Sequence, residues 1–128
     1  MKLREKIRTL TVTAVTLGVV GGGMLTAGDA SAQVIYYCEG NLCMGNINGN
    51  ANNPDVAMHA DEYQFYGHYE LQTPDHRTFN SADHLWGTGT GSNHAFGSDK
   101  GGNGKYCGTA WENNGNGYDK IGYICENF

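Results

Sequence analysis

The chain has 128 residues with a formal charge of −5, 20 glycines and only two prolines, and only 39% of its residues are hydrophobic. Such a composition leaves a thin core for the length, and the acidity disfavours partners built on phosphate, namely nucleic acid and anionic lipid surfaces. Four cysteines in a chain this short point to two disulfides and an oxidising compartment.

Lys2, Arg4, Lys6 and Arg8 form a basic start, an apolar stretch runs from Leu10 to Leu25, and Ala30-Ser31-Ala32 supplies the small-x-small pattern of a cleavage site. This order predicts a secretory signal peptide over 1–32 and a single domain over 33–128, secreted and extracellular. The glycines at 21–23 and an apolar core shorter than the roughly 20 residues of a bilayer span argue against a permanent anchor. From Gln33 onward only Arg77, Lys100, Lys105 and Lys120 oppose eleven acids, a net charge of −7.

Val34-Ile35-Tyr36-Tyr37 reads as a strand that leads into Cys38 and Cys43, which flank Glu39-Gly40-Asn41-Leu42. Residues 45–54 are dominated by Asn and Gly and read as a surface loop. From Tyr63 to Gln72 the pattern alternates. Tyr63, Phe65, Tyr69 and Leu71 fall on one face, and Gln64, His68, Glu70 and Gln72 on the other, with Tyr66 on the polar side. Thr73-Pro74-Asp75-His76 is turn chemistry, and Arg77-Thr78-Phe79-Asn80 reads as the returning strand. Residues 87–104, rich in Gly, Ser and Asn, read as a second surface loop.

The last hairpin is the best specified. Lys105–Glu112 and Tyr118–Glu126 are strand-like around Asn113-Asn114-Gly115-Asn116-Gly117. A centre at Asn116 sets Trp111 opposite Ile121, Thr109 opposite Tyr123 and Cys107 opposite Cys125. All three pairs share a face, expected to be the core face. A Cys107–Cys125 bridge leaves Cys38 for Cys43 as a tight knuckle; connectivities that cross-link the two ends of the domain stay open at this point. The spacing C-x4-C … C-x17-C matches no common zinc ribbon. The expected fold is all-β, a small antiparallel domain built from hairpins, stapled by Cys38, Cys43, Cys107 and Cys125, with Gly/Asn-rich loops.

Little in the chain is arranged for chemistry. His59, His68, His76, His84 and His94 include no H-x-x-x-H pair, and His68-x-Glu70 reads as the polar face of a strand. The segment from Asn46 to Asn50 lacks the carboxylates of a calcium loop. There is no G-x-S-x-G elbow, and paired cysteines are not nucleophiles. No catalytic residue, metal ligand or cofactor is therefore expected. What remains is surface: eight tyrosines, a residue type enriched at the energetic centres of interfaces. The partner-binding candidates are Val34, Ile35, Tyr36, Tyr37, Glu39, Asn41, Leu42 and Tyr66. Two other readings have a feature each. A disulfide-braced loop at Glu39–Leu42 is what an inhibitor of a protease or other hydrolase presents, and an exposed Trp86 would suit sugar stacking.

Three runs, Gly67-His68-Tyr69-Glu70-Leu71-Gln72-Thr73-Pro74-Asp75, Tyr106-Cys107-Gly108-Thr109-Ala110-Trp111 and Lys120-Ile121-Gly122-Tyr123-Ile124-Cys125, resemble words found in the same order in small secreted actinobacterial proteins. That group resembles the adapter, or spoke, subunits of umbrella toxin particles. The resemblance implies a non-catalytic subunit of an extracellular antibacterial complex, without cofactor, that joins a lectin-bearing to a toxin-bearing subunit. It implies no individual contact residues.

Overall fold

The computed structural model describes Lys6–Thr11 and residues 33–128. Apart from Lys6–Thr11, the leader expected over 1–32 lies outside the described residues. The strands of the described chain, all of which pair antiparallel, are β1 (Lys6–Thr11), β2 (Gln33–Glu39), β3 (Leu42–Asn46), β4 (Val56–His59), β5 (Phe65–Gln72), β6 (Thr78–Asn80), β7 (His84–Trp86), β8 (His94–Ala95), β9 (Lys105–Asn113) and β10 (Tyr118–Asn127). One sheet has the order β1-β2-β3-β4-β8. The other has β10-β9-β5-β6, with β7 also pairing with β5. Among the described residues no helix is long and apolar enough to cross a membrane.

The sheets pack face to face around one core. Leu42, Met44, Val56 and Met58 from the first sheet meet Phe65, Tyr69, Leu71, Tyr106, Ala110 and Ile124 from the second. Large residues on one side oppose small ones on the other. A Cβ at Gly108 would lie 2.7 Å from the Met58 methyl and 3.0 Å from Met44 Sδ, so glycine there lets the methionines reach the sheet. This is how a chain poor in aliphatics still fills its interior, with flexible thioethers seated against bare backbone.

The expected pattern in β5 is present, with Phe65, Tyr69 and Leu71 buried and Tyr66 and Gln72 exposed. The returning strand is β6, whose Phe79 pairs with Leu71. Tyr63 departs from the expected pattern: it precedes the strand and is exposed, because residues 61–63 form a turn tied to Asn41. The loop expected over 87–104 is partly ordered as a 3-10 turn at Thr90–Ser92 and as β8. Between β3 and β4 the asparagines form a ladder. Oδ1 of Asn46, Asn48 and Asn50 accepts the backbone N–H of Asn48, Asn50 and Asn52 in turn. These are local Asx turns whose acceptor oxygens are already used.

Both disulfides join cysteines directly opposite each other, Cys38 with Cys43 and Cys107 with Cys125. Thr109 faces Tyr123 as expected, but two parts of the C-terminal reading are corrected. Trp111 pairs with Lys120, because a bulge between Lys120 and Gly122 makes Ile121 an extra residue. And Cys107, Thr109 and Trp111 do not face the core; Tyr106, Gly108 and Ala110 do. The phase is set by steric room, since only the Gly108 and Gly122 register lets the opposing sheet approach.

Candidate functional site

The knuckle between β2 and β3 is structural. Asn41 and Leu42 are buried, and Gly40 is seated so closely that a Cβ would lie 2.8 Å from the Ile121 carbonyl oxygen. The Asn41 N–H donates to that same carbonyl at 2.8 Å. Its side-chain oxygen accepts the N–H groups of Asp61, Glu62 and Tyr63 at 3.1, 2.6 and 3.1 Å, and its amide nitrogen donates to the Tyr63 carbonyl. One asparagine thus ties three chain segments together. Tyr36 is buried as well, edge-on to His59, and its hydroxyl accepts from the Asn93 amide at 2.7 Å. His59 Nδ1 in turn donates to Asn93 Oδ1 at 2.7 Å. The segment carrying Asn93 is thereby tied to Tyr36 and His59, which neighbour the Cys38–Cys43 bridge, and both cysteines have no exposed surface.

Of the expected partner-binding residues, Tyr36, Asn41 and Leu42 present no side-chain surface, which corrects the picture of the knuckle as a protruding element. Val34 and Tyr37 are half-buried, while Ile35, Glu39 and Tyr66 are exposed. Trp86 is also unsuited to the role offered for it. Its N–H donates to the Gly67 carbonyl, and its ring is packed against Tyr69, His84 and His94.

The most developed surface is the outer face of the second sheet, where side chains alternate away from the core. From β5 it takes Tyr66, His68, Glu70 and Gln72. From β9 and β10 it takes Cys107, Thr109, Trp111, Tyr118, Lys120 and Tyr123. Gly67 lets β5 and β9 pair here, since a Cβ would fall 1.9 Å from the Trp111 carbonyl oxygen. Tyr66, at 50% exposure, is paired across the sheet with Leu85, at 55%. Tyr118 and Tyr123 are each over 40% exposed on the same face.

The polar groups between these rings are already paired. Trp111 Nε1 donates to Glu70 Oε1 at 2.6 Å, and Gln72 donates to the other Glu70 oxygen. Asp83 accepts from the Tyr118 hydroxyl at 2.7 Å, from His68 Nδ1 at 3.0 Å and from the Asn113 amide at 3.2 Å. The Tyr118 bond leads in holding the Asp83 carboxyl below its ordinary range, with Asn113 and His68 adding to it. The Lys120 ammonium lies over the rings of both Trp111 and Tyr123. These contacts hold the Trp111 and Tyr118 side chains in place on the face.

His68 and Glu70 point to different partners, Asp83 and Trp111, so the pair does not converge on an ion. Among the described residues, one group of three potential ligands converges, Cys38, Cys43 and Asp61, and two of its members are already joined as a disulfide. No family model, curated protein or solved structure matches the chain.

Sequence reasoning placed Tyr66, His68, Glu70 and Gln72 on the outer face and missed the part that β9 and β10 contribute, because it turned those strands the wrong way round. The signal was present in Gly108 and Gly122, which alternate in phase with Tyr106, Ala110 and Ile124. A phase containing the smallest residues is the one a neighbouring sheet can approach.

Proposed function

We propose that this protein is a secreted, non-catalytic interaction subunit, an adapter that docks other extracellular proteins. One observation carries the reading: Tyr66, Leu85, Tyr118 and Tyr123 are exposed on a single sheet face on which Trp111 is bonded to Glu70 and Tyr118 and His68 to Asp83. Rings held in place by hydrogen bonds lose little entropy on binding, and Tyr and Trp dominate interface energetics. Two disulfides are consistent with an oxidising, extracellular setting.

The resemblance of the three runs adds a specific form of this reading, and those runs lie in β5 with the turn that follows it, in β9 and in β10, the strands of this face. In that form the protein is the adapter of an antibacterial toxin complex, and its partners are a lectin-bearing and a toxin-bearing subunit. No cofactor takes part. An inhibitor of a hydrolase is the weaker alternative, since the loop it would present is folded against Ile121 and residues 61–63.

The test is affinity capture from the producer's culture medium with the tagged secreted protein and with a Tyr66→Ala/Tyr118→Ala variant. Two larger secreted proteins in fixed proportion, one of them lost with the variant, are expected. A single hydrolase inhibited at low concentration would replace the adapter by the inhibitor, and identical capture by both baits would remove this face from the account.

A further inference from the structure

A sheet edge is an unpaired row of backbone donors and acceptors, and most edges of this molecule are blunted. β8 has two residues, and β6 and β7 have three each. β10 is ten residues long, but it carries the bulge at Ile121, whose carbonyl accepts the Asn41 N–H. β2 differs. It has seven residues, and its pairing with β3 runs without a register shift from Tyr36↔Gly45 to Glu39↔Leu42.

The other side of β2 is where the chain lays its own Lys6–Thr11. The six antiparallel pairs are consecutive, from Lys6↔Cys38 to Thr11↔Gln33. Cleavage after Ala32 would remove this occupant and leave every residue of β2 behind. All the buried residues of the core between the sheets and of the smaller cluster of Tyr36, Cys38 and Cys43, and both disulfides, lie from Tyr36 onward.

We propose that in the exported protein the β2 edge, Gln33–Glu39, accepts an extended basic strand from another protein. Main-chain pairing along six residues would supply the affinity, as in other cases of strand addition. Charge selects the occupant. The seated segment, Lys-Ile-Arg-Thr-Leu-Thr, carries two positive charges, whereas the domain from Gln33 onward carries −7 and exposes Glu39 at the end of the edge. A second copy would bring −7 against −7, and its own β2 contains the acidic Glu39, so self-pairing is disfavoured. In an adapter this edge, on the first sheet, gives a contact separate from the aromatic face of the second. The inference rests on the β2 edge and on removal of the leader in the secreted protein, not on the aromatic face.

The experiment uses the exported protein from Gln33 to Phe128 and a synthetic peptide spanning residues 4–13. Saturable binding is expected, with new hydrogen-exchange protection confined to residues 33–39. A peptide with proline in place of Leu10, which pairs with Val34 where the backbone N–H points at β2, loses binding because it removes a ladder donor. One with glutamate in place of Lys6 and Arg8 binds at least tenfold more weakly at low salt. On the protein side, Ile35→Lys, at an exposed position, weakens binding without altering the near-ultraviolet circular dichroism. No saturable binding, or protection elsewhere, overturns the proposal. A concentration-dependent dimer that protects 33–39 without peptide overturns the choice of occupant. The capture experiment with Tyr66 and Tyr118 variants reads the other sheet, so either result can fail alone.

Discussion

The two disulfide hairpins use one covalent device in opposite settings. In β2–β3 and in β9–β10 the cysteines sit directly opposite each other, with Cα atoms 4.0 and 3.9 Å apart. The first bridge is fully buried in a cluster with Tyr36, Val34 and Ile47, at the foot of a turn pressed against the second sheet. The second lies half-exposed beside Thr109 and Tyr123, on a face open to solvent. The difference shows that a disulfide's local geometry says little about its use. One fixes a buried junction, and the other braces a surface.

Asn41 is where this contrast breaks with the largest effect. Asn41→Ala leaves the N–H groups of Asp61, Glu62 and Tyr63 and the Tyr63 carbonyl without their partner, and opens a void at a buried position. A loss of about 3 kcal/mol or more is expected in denaturant unfolding. Asn41→Asp keeps the acceptor oxygens and should recover part of it. A loss below about 1 kcal/mol for Asn41→Ala would mean that the disulfide alone holds the knuckle.

The bridges themselves come next. Loop closure favours the Cys107–Cys125 bridge, with a separation of 18 residues against 5, by about 3 to about 2 kcal/mol. From loop length alone Cys107→Ser should therefore be the worse substitution. Burial closes the gap, because a serine at position 43 places a hydroxyl in a site with no exposed surface, at a cost of about 1–3 kcal/mol. Comparable falls in melting temperature are expected for Cys43→Ser and Cys107→Ser. Mild reduction of the native protein separates the bridges: alkylation should label Cys107 and Cys125 well before Cys38 and Cys43. The reverse order would contradict the assignment of sealed and open bridges.

A smaller effect has the opposite sign and lies in the core between the two sheets. Tyr69 is fully buried beside Phe65 and Trp86, and among the described residues its hydroxyl has no hydrogen-bond partner. Burial pushes its ionisation well above the ordinary tyrosine range. Tyr69→Phe should then raise stability by about 1 kcal/mol, seen as a melting temperature several degrees higher. Any clear destabilisation would show that the hydroxyl is satisfied in solution.

How much of this was legible in the sequence follows from where each signal is encoded. The strands β5, β9 and β10, the turn at Thr73–His76 and both disulfide pairings were readable, since they depend on alternation and on opposite positions in a hairpin. β4 and β8 were not. Val56–His59 is buried throughout and shows no alternation, and His94–Ala95 is a strand only through its pairing with Ala57 and Met58. The bulge at Ile121 was hidden because no local rule marks it; it exists to let Gly122 and Leu42 meet across the sheets. Asn41 read as a loop residue because its partners lie twenty and more residues away. The candidate face was half visible: its β5 residues were placed on the outer side, and Cys107, Thr109 and Trp111 of β9 were assigned to the core side.

The least of the expected effects is a pH dependence that distinguishes core from face. The His94 ring lies between Trp86 and Phe96, and burial lowers its pKa from the ordinary 6.5. The neutral ring is then the form that folds. Between the lowered value and 6.5 the unfolded chain binds more protons than the native one, so stability rises with pH across that window. The contribution is complete above about pH 6.5 and is lost as pH falls below it. The slope should be a fraction of the about 1.4 kcal/mol per pH unit that one fully displaced proton gives, because the ring keeps some solvent contact. Asp83, on the outer face, works in another window. Its lowered pKa adds stability above the ordinary 3.8 that disappears only in more acid solution. Unfolding measured from pH 4.5 to 7.5 should therefore show a rise that His94→Gln flattens and Asp83→Asn leaves in place. If Asp83→Asn flattened it instead, the face and not the core would set the protein's response to mild acid.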